Sequence, residues 1–208
     1  MLAISERKNY CMPAKFELPV NVAPWKIDYN RAILLIHDMQ YYFLKKLESE
    51  NLRSSLVDNI AAIQYHCRHH YVPIAYTAQS GDMTSQQRGL LKDFWGPGMR
   101  ATPDERSITN RIKPNKEDWL FTKWRYSAFY QSNLLEKMRS AGKDQLIICG
   151  VYAHIGILAT AIEAFSNNIE TFIVADAIAD FTRADHLMAL GYAAKCCAVN
   201  IMSKEVLI

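Results

Sequence analysis

Six short runs rich in β-branched and aliphatic residues recur along the chain: AILLI (32–36), VPIAYTA (72–78), DWLFTK (118–123), QLIICG (145–150), ETFIVADA (170–177) and AVNIM (198–202). Their apolarity is continuous rather than alternating, which predicts strands covered on both faces, as in a parallel sheet. Between them the period changes. Leu56, Ile60, Ile63 and Cys67 follow a spacing of four, three and four, which draws one apolar stripe on a helix lying against that sheet. Further helices are expected from about 155 to 165 and from about 184 to 194. Alternation of strand and helix predicts an α/β fold: a three-layer, doubly wound, six-stranded parallel sheet with helices on both faces.

In such sheets ligands bind beyond the carboxyl ends of the strands. Here those ends carry Asp38, Gln79, Lys123 and the segment from Gly150 to His154. Asp38 terminates a run fit for complete burial, where an unpaired carboxylate is costly, so it is either a local cap or part of a chemical site. Lys123 by itself reads as a side chain that snorkels to water, and His37 as a packed core residue. One connection is unusually long. Some forty residues, 79–117, separate two strands and include QSGDMTSQQRGLLKDFWGPGMRA, a loop of the kind that closes over a site.

Composition narrows the classes. Half of the 208 residues are apolar, enough for one packed core, and without a Pro/Gly/Ser linker or repeat residues 1–208 read as one domain. A formal charge of +3 without a basic strip predicts no nucleic-acid partner. The start, MLAISERKNYCMPAKF, lacks a signal-peptide pattern and no apolar run reaches membrane-spanning length, so no membrane association and a cytoplasmic location are expected. Five cysteines without CxxC or Cys/His spacing suggest neither a disulfide framework nor a zinc site. Walker A, GxSxG and HExxH patterns do not occur. His66, His69 and His70 end a helical stretch, where contacts with the helix terminus are the expected role.

Taken together, LLIHDMQYYF, YTAQ, LLKDFWGPGMRA, TKWRYSAF, LIICGVYAHIG and FIVADAIADF resemble the isochorismatase family within the cysteine-hydrolase-like superfamily, and within it the phenazine-pathway branch acting on 2-amino-2-deoxyisochorismate. The resemblance covers about residue 15 to the end. It implies cleavage of an enol-pyruvyl ether in a small anionic, chorismate-derived substrate, with no cofactor and no metal, commonly in a homodimer. Superfamily amidases use an Asp, a Lys and a nucleophilic Cys; Asp38 and Lys123 match the first two, while Gly156 stands at the third. A vinyl ether, however, hydrolyses by protonation of its methylene carbon, so it needs an acid and not a thiol. By resemblance Asp38 is that acid and Lys123 its partner. Gln79, Arg88, Tyr152 and the backbone of Gly156 match substrate contacts, and Phe43, Trp95 and Tyr126 line the apolar side. A non-proline cis peptide is implied at Val151–Tyr152. Ile157 departs from the cysteine often found there in siderophore-pathway members, and the carrier-protein domain those members often have is not expected here. Within the family the alternative is an isochorismatase that makes 2,3-dihydro-2,3-dihydroxybenzoate for a siderophore; an amidase or a noncatalytic binding subunit with the same fold are the rival classes.

Overall fold

The computed structural model describes residues 10–207; the reading of the first nine residues lies outside them. The strands are β1 (Ala32–His37), β2 (Ile74–Ala78), β3 (Trp119–Thr122), β4 (Gln145–Val151), β5 (Glu170–Ala179) and β6 (Val199–Ile201). In chain order the helices are α1 (Tyr41–Leu44), α2 (Glu50–His69), α3 (Ser85–Arg88), α4 (Leu91–Trp95), α5 (Pro103–Arg106), α6 (Leu134–Ser140), α7 (Leu158–Ser166), α8 (Arg183–Cys196) and α9 (Ser203–Val206). All six expected strands are present within a few residues, and every pairing is parallel, in the order β3-β2-β1-β4-β5-β6.

Each residue of β1 is buried, because alternate side chains feed two separate cores. Leu34 and Ile36 pack with Leu56, Ile60, Ile63 and Cys67 of α2 and with Val206 of α9. Ile33 and Leu35 face the other way, toward Leu134 and Met138 of α6, Ala161 of α7 and Leu190 of α8. Helices therefore cover both faces, as the continuous apolar runs require. Only β3, at the sheet edge, departs from this: Leu120 is 62% exposed.

Three parts of the chain differ from the expectation set by the sequence. Segment 79–117 is not a bare loop but carries α3, α4, α5 and a 3-10 turn at Asn110–Ile112. Helix α6 was not anticipated; its Leu134 and Met138 supply one i,i+4 apolar pair, too short a pattern to stand out. At the end of α2 the histidines are also more specific than a terminus effect. His66 Nε2 lies 3.0 Å from the Tyr29 hydroxyl, while the His69 ring bonds the Tyr65 carbonyl at 2.9 Å.

The crossover between β1 and β4 is the point where the chain reverses its direction of winding. There His37 pairs with Gly150 so closely that a Cβ on Gly150 would stand 2.1 Å from the His37 carbonyl oxygen, and Gly150 adopts φ +115°. Only glycine meets both demands. The pairing of β4 with β5 also shifts register between Ile148 and Gly150, which re-aims the end of β4.

Two buried histidines contribute to the response of this fold to acid. The His37 ring donates from Nδ1 to the Val151 carbonyl at 2.8 Å. His186 lies 3.1 Å from the Ala175 carbonyl through Nε2 and 3.1 Å from the Tyr10 hydroxyl through Nδ1. Burial pushes both down from 6.5 to about 4. Each is neutral when folded and takes a proton in the unfolded chain below 6.5, so stability is retained above that pH and lost as pH falls toward 4. His154, whose proton affinity is raised against the effect of burial by Asp180, contributes fully below 6.5 and leaves the window unchanged. Urea titrations are expected to show little proton uptake on unfolding at pH 7.5 and uptake approaching about two protons near pH 5. A flat profile would refute this.

Candidate active site

Asp38 follows β1 directly and adopts φ +53°, a left-handed conformation that Asp tolerates better than most residues. Its carboxylate accepts from Thr77 Oγ1 at 2.8 Å on one oxygen and from Lys123 Nζ at 2.7 Å on the other. Lys123 is only 4% exposed; rather than snorkelling, it crosses from the end of β3 over β2 to the end of β1. The pair is thus buried and matched, which is the condition under which such charges persist away from water. His37 Nδ1 lies 3.8 Å from the same Asp38 oxygen.

Above the pair lies an open cleft with about 560 Å³ of empty space, its mouth included. All nine residues singled out by sequence line it: Asp38, Phe43, Gln79, Arg88, Trp95, Lys123, Tyr126, Tyr152 and Gly156. Gln79 is fixed by the side chain of Gln40, which accepts from the Gln79 N–H at 2.8 Å and donates to its carbonyl at 2.9 Å. Arg88, 4% exposed, donates from Nη1 to Gln79 Oε1 at 3.2 Å and from Nε to the Gly96 carbonyl at 2.9 Å. Burial lowers its proton affinity, yet a guanidinium stays charged in proteins.

The apolar wall is a chain of rings. Trp95 Nε1 donates to the Tyr126 hydroxyl at 2.8 Å, and both residues are 37% exposed, which places them at the mouth. Phe181 lies 4.1 Å from Tyr152 and 6.0 Å from Trp95, centroid to centroid, and Tyr152 meets Phe43 edge-on at 6.0 Å. The Tyr152 hydroxyl is tied to the Phe43 carbonyl at 2.7 Å. The Val151–Tyr152 peptide is cis, as the resemblance implied.

After Tyr152 the chain makes a wide turn, Ala153–Ile157, closed by a bond of 3.2 Å from Ile157 N–H to the Tyr152 carbonyl. Gly156 lies in it, directly over His37: a Cβ there would sit 2.3 Å from His37 Cε1. The imidazole occupies the space a nucleophilic side chain would need. Asp180, fully buried, holds the turn by accepting from His154 N–H and ring Nδ1, each at 2.7 Å, and from the Phe181 N–H at 2.8 Å. His154, Asp180 and Asp185 form a group with metal-ligating atoms, but hydrogen bonds within the protein engage Asp180 in this way and Asp185 through the Thr182 hydroxyl.

Several lining residues were not singled out beforehand: Tyr42, Lys46, Leu91, Arg125, Ile155 and Phe181. Arg125 and Phe181 sit inside quoted motifs, TKWRYSAF and FIVADAIADF, so proximity could have flagged them. Nothing distinguished Lys46 from its neighbour Lys45. With these additions the lining holds four cations, Lys46, Arg88, Lys123 and Arg125, against the single carboxylate of Asp38. Among the described residues, Lys123 is the only one of the four in an ion pair with a protein carboxylate.

A parallel sheet in the order β3-β2-β1-β4-β5-β6 with an Asp and a Lys meeting beyond its strand ends makes this a doubly wound α/β protein with a candidate site at the switch point. The solved structure of a cysteine hydrolase from Pseudomonas syringae pv. phaseolicola shares the fold, with a TM-score of 0.79 at 20% identity over 91% of this chain and 95% of that one. The isochorismatase domain model matches residues 32–205, and the chain belongs to the isochorismatase family of hydrolases. Phenazine biosynthesis protein PhzD1 of Pseudomonas aeruginosa is 55% identical over the whole of both chains. Enterobactin synthase component B of Escherichia coli is 42% identical over 99% of this chain and 73% of its own length.

Proposed function

We propose that the protein hydrolyses the vinyl ether of 2-amino-2-deoxyisochorismate, giving 2,3-dihydro-3-hydroxyanthranilate and pyruvate, in phenazine or related secondary metabolism. The observation that carries this reading is a buried Asp at the floor of a cleft whose remaining charges are cationic, the complement of a dianion that must be protonated on carbon. Full-length likeness to a phenazine biosynthesis protein supports it over the siderophore branch.

In this mechanism Asp38 protonates the enol-pyruvyl methylene carbon, which becomes a methyl group as positive charge develops on the adjacent ether carbon and oxygen. Water adds to that carbon and its proton returns to the carboxylate. The hemiketal then collapses: the bond from the pyruvyl carbon to the ring oxygen breaks, the ring keeps its oxygen as a hydroxyl, and pyruvate leaves. The carboxyl must hold a proton at the moment of transfer. Lys123 orients Asp38 and can turn to the substrate; Arg88 and Gln79 hold its carboxylate, since a guanidinium suits that group through two-pronged geometry. No thiol takes part, because Gly156 occupies the amidase position.

We read residues 1–208 as one catalytic domain acting in the cytoplasm; no helix among the described residues is long and apolar enough to cross a membrane. A homodimer is supported by apolar side chains that α7 and α8 leave exposed, Ile162, Phe165, Met188 and Tyr192. Light scattering at twice 23.8 kDa is the expected result.

Pyruvate release, followed with lactate dehydrogenase and NADH, tests the reaction. Release from 2-amino-2-deoxyisochorismate with a higher kcat/KM than from isochorismate is expected. Preference for isochorismate would move the protein to the siderophore branch, and release from neither would reject ether hydrolysis.

A further inference from the structure

Lys45 and Lys46 follow α1 side by side, and the fold gives them different surroundings. Lys45 is exposed and turns away, donating to the Asp104 carbonyl at 3.0 Å with the Asp104 carboxylate at 3.8 Å. Lys46 is half-buried and lines the cleft; its ammonium stands 4.5 Å above the centroid of the Tyr42 ring. Among the described residues no carboxylate pairs with it, in contrast to Lys45 and Lys123. A partly desolvated ammonium held on an aromatic face and open to a cavity is a donor waiting for an anion.

The proposed reaction decides which anion. The substrate has two carboxylates. One is attached to the carbon next to the methylene that Asp38 must protonate, so it has to lie on the floor of the cleft with Asp38, Arg88 and Lys123, each only 4% exposed. The other is on the ring, two ring carbons from the ether oxygen, and in that pose would face the mouth, where Trp95 and Tyr126 are 37% exposed. Arg88, Lys123 and Arg125 already donate to protein acceptors, whereas among the described residues no such bond engages the Lys46 ammonium, which rests on the Tyr42 ring. We propose, resting on the ether-hydrolase reading, that Lys46 is the binding residue for the ring carboxylate and sets the register in which the enol-pyruvyl group meets Asp38.

Lys46→Met and Lys45→Met form a matched pair, since both remove one positive charge from the same short segment. Expected for Lys46→Met is a rise in substrate KM of about tenfold with kcat little changed, the size of one charge-assisted contact; Lys46→Arg should restore most of it, and Lys45→Met should leave KM unaltered. Ligands that carry one end each supply a readout that a structural role would not move. Titration with 3-hydroxyanthranilate, which has the ring carboxylate, should weaken about tenfold in Lys46→Met. Inhibition by pyruvate, and binding of 2-aminophenol, which lacks the carboxylate, should stay as in the parent protein. An unchanged KM in Lys46→Met, an equal effect of Lys45→Met, or equal weakening of pyruvate would overturn the assignment. A parent protein that binds 3-hydroxyanthranilate through Lys46 yet releases no pyruvate would instead leave the assignment standing and remove the proposed reaction.

Discussion

Asp38→Ala is expected to slow pyruvate release by at least about 10²-fold, the usual cost of removing a positioned general acid, while substrate still binds. Two effects have to be separated. The carboxylate is the acid of the proposed reaction, but it also neutralises Lys123, whose side chain is 3% exposed, and stripping one partner from a buried pair costs about 3–5 kcal/mol. The double variant Asp38→Ala/Lys123→Met removes both charges and should recover much of that stability while remaining inactive. Binding can be followed through the fluorescence of Trp95 at the cleft mouth. Parent-like turnover in Asp38→Ala would dispose of the mechanism, and activity regained in the double variant would show that the loss came from the fold and not from the missing acid.

The second large effect concerns Gly156, which by the family likeness stands where superfamily amidases carry their nucleophile. Gly156→Cys should not create an amidase. It should instead lower stability by about 1–3 kcal/mol, the range for forcing extra volume into a packed interior, and depress pyruvate release. The cause is His37: a new Cβ would stand 2.3 Å from Cε1, 3.0 Å from Nε2 and 3.2 Å from Nδ1. The ring is fully buried and bound to the Val151 carbonyl at 2.8 Å, so it has nowhere to swing. Urea midpoints for Gly156→Cys, His37→Ala and the double variant measure the conflict directly. Combined, the two changes should cost less than their separate effects added, because shortening residue 37 makes the room that the introduced thiol side chain lacks. A Gly156→Cys protein as stable as the parent, or one that hydrolyses amides, would contradict this reading.

Much of the site was legible because its residues fall where hydrophobic runs stop. Asp38, Gln79 and Lys123 each end a strand-like segment, and a polar residue there is conspicuous against the buried stretch before it. The aromatic residues Phe43, Trp95, Tyr126 and Tyr152 were legible only through the family likeness, since nothing in local pattern separates a lining ring from a core ring. Lys46 and Arg125 escaped notice for a different reason. Adjacent basic residues normally form a solvated face, and the direction in which each side chain leaves its backbone depends on how the segment docks. Segment 79–117 read as a covering loop; it contributes Arg88, Leu91 and Trp95 to the cleft wall, but through short helices whose few residues are too brief for a periodic signal.

By itself the sequence determined the local elements: which runs become buried strands, where α2 presents its stripe, and that no thiol stands at position 156. Those are short-range consequences of apolar spacing and residue chemistry. Only the tertiary structure decided which ends meet. Strand order, not distance along the chain, carries Lys123 across 85 positions to within 2.7 Å of Asp38, stacks Phe181 on Tyr152, and turns Lys46 toward the cleft while Lys45 faces Asp104. Packing of helices on both sheet faces sets those directions, and a linear pattern holds no record of them.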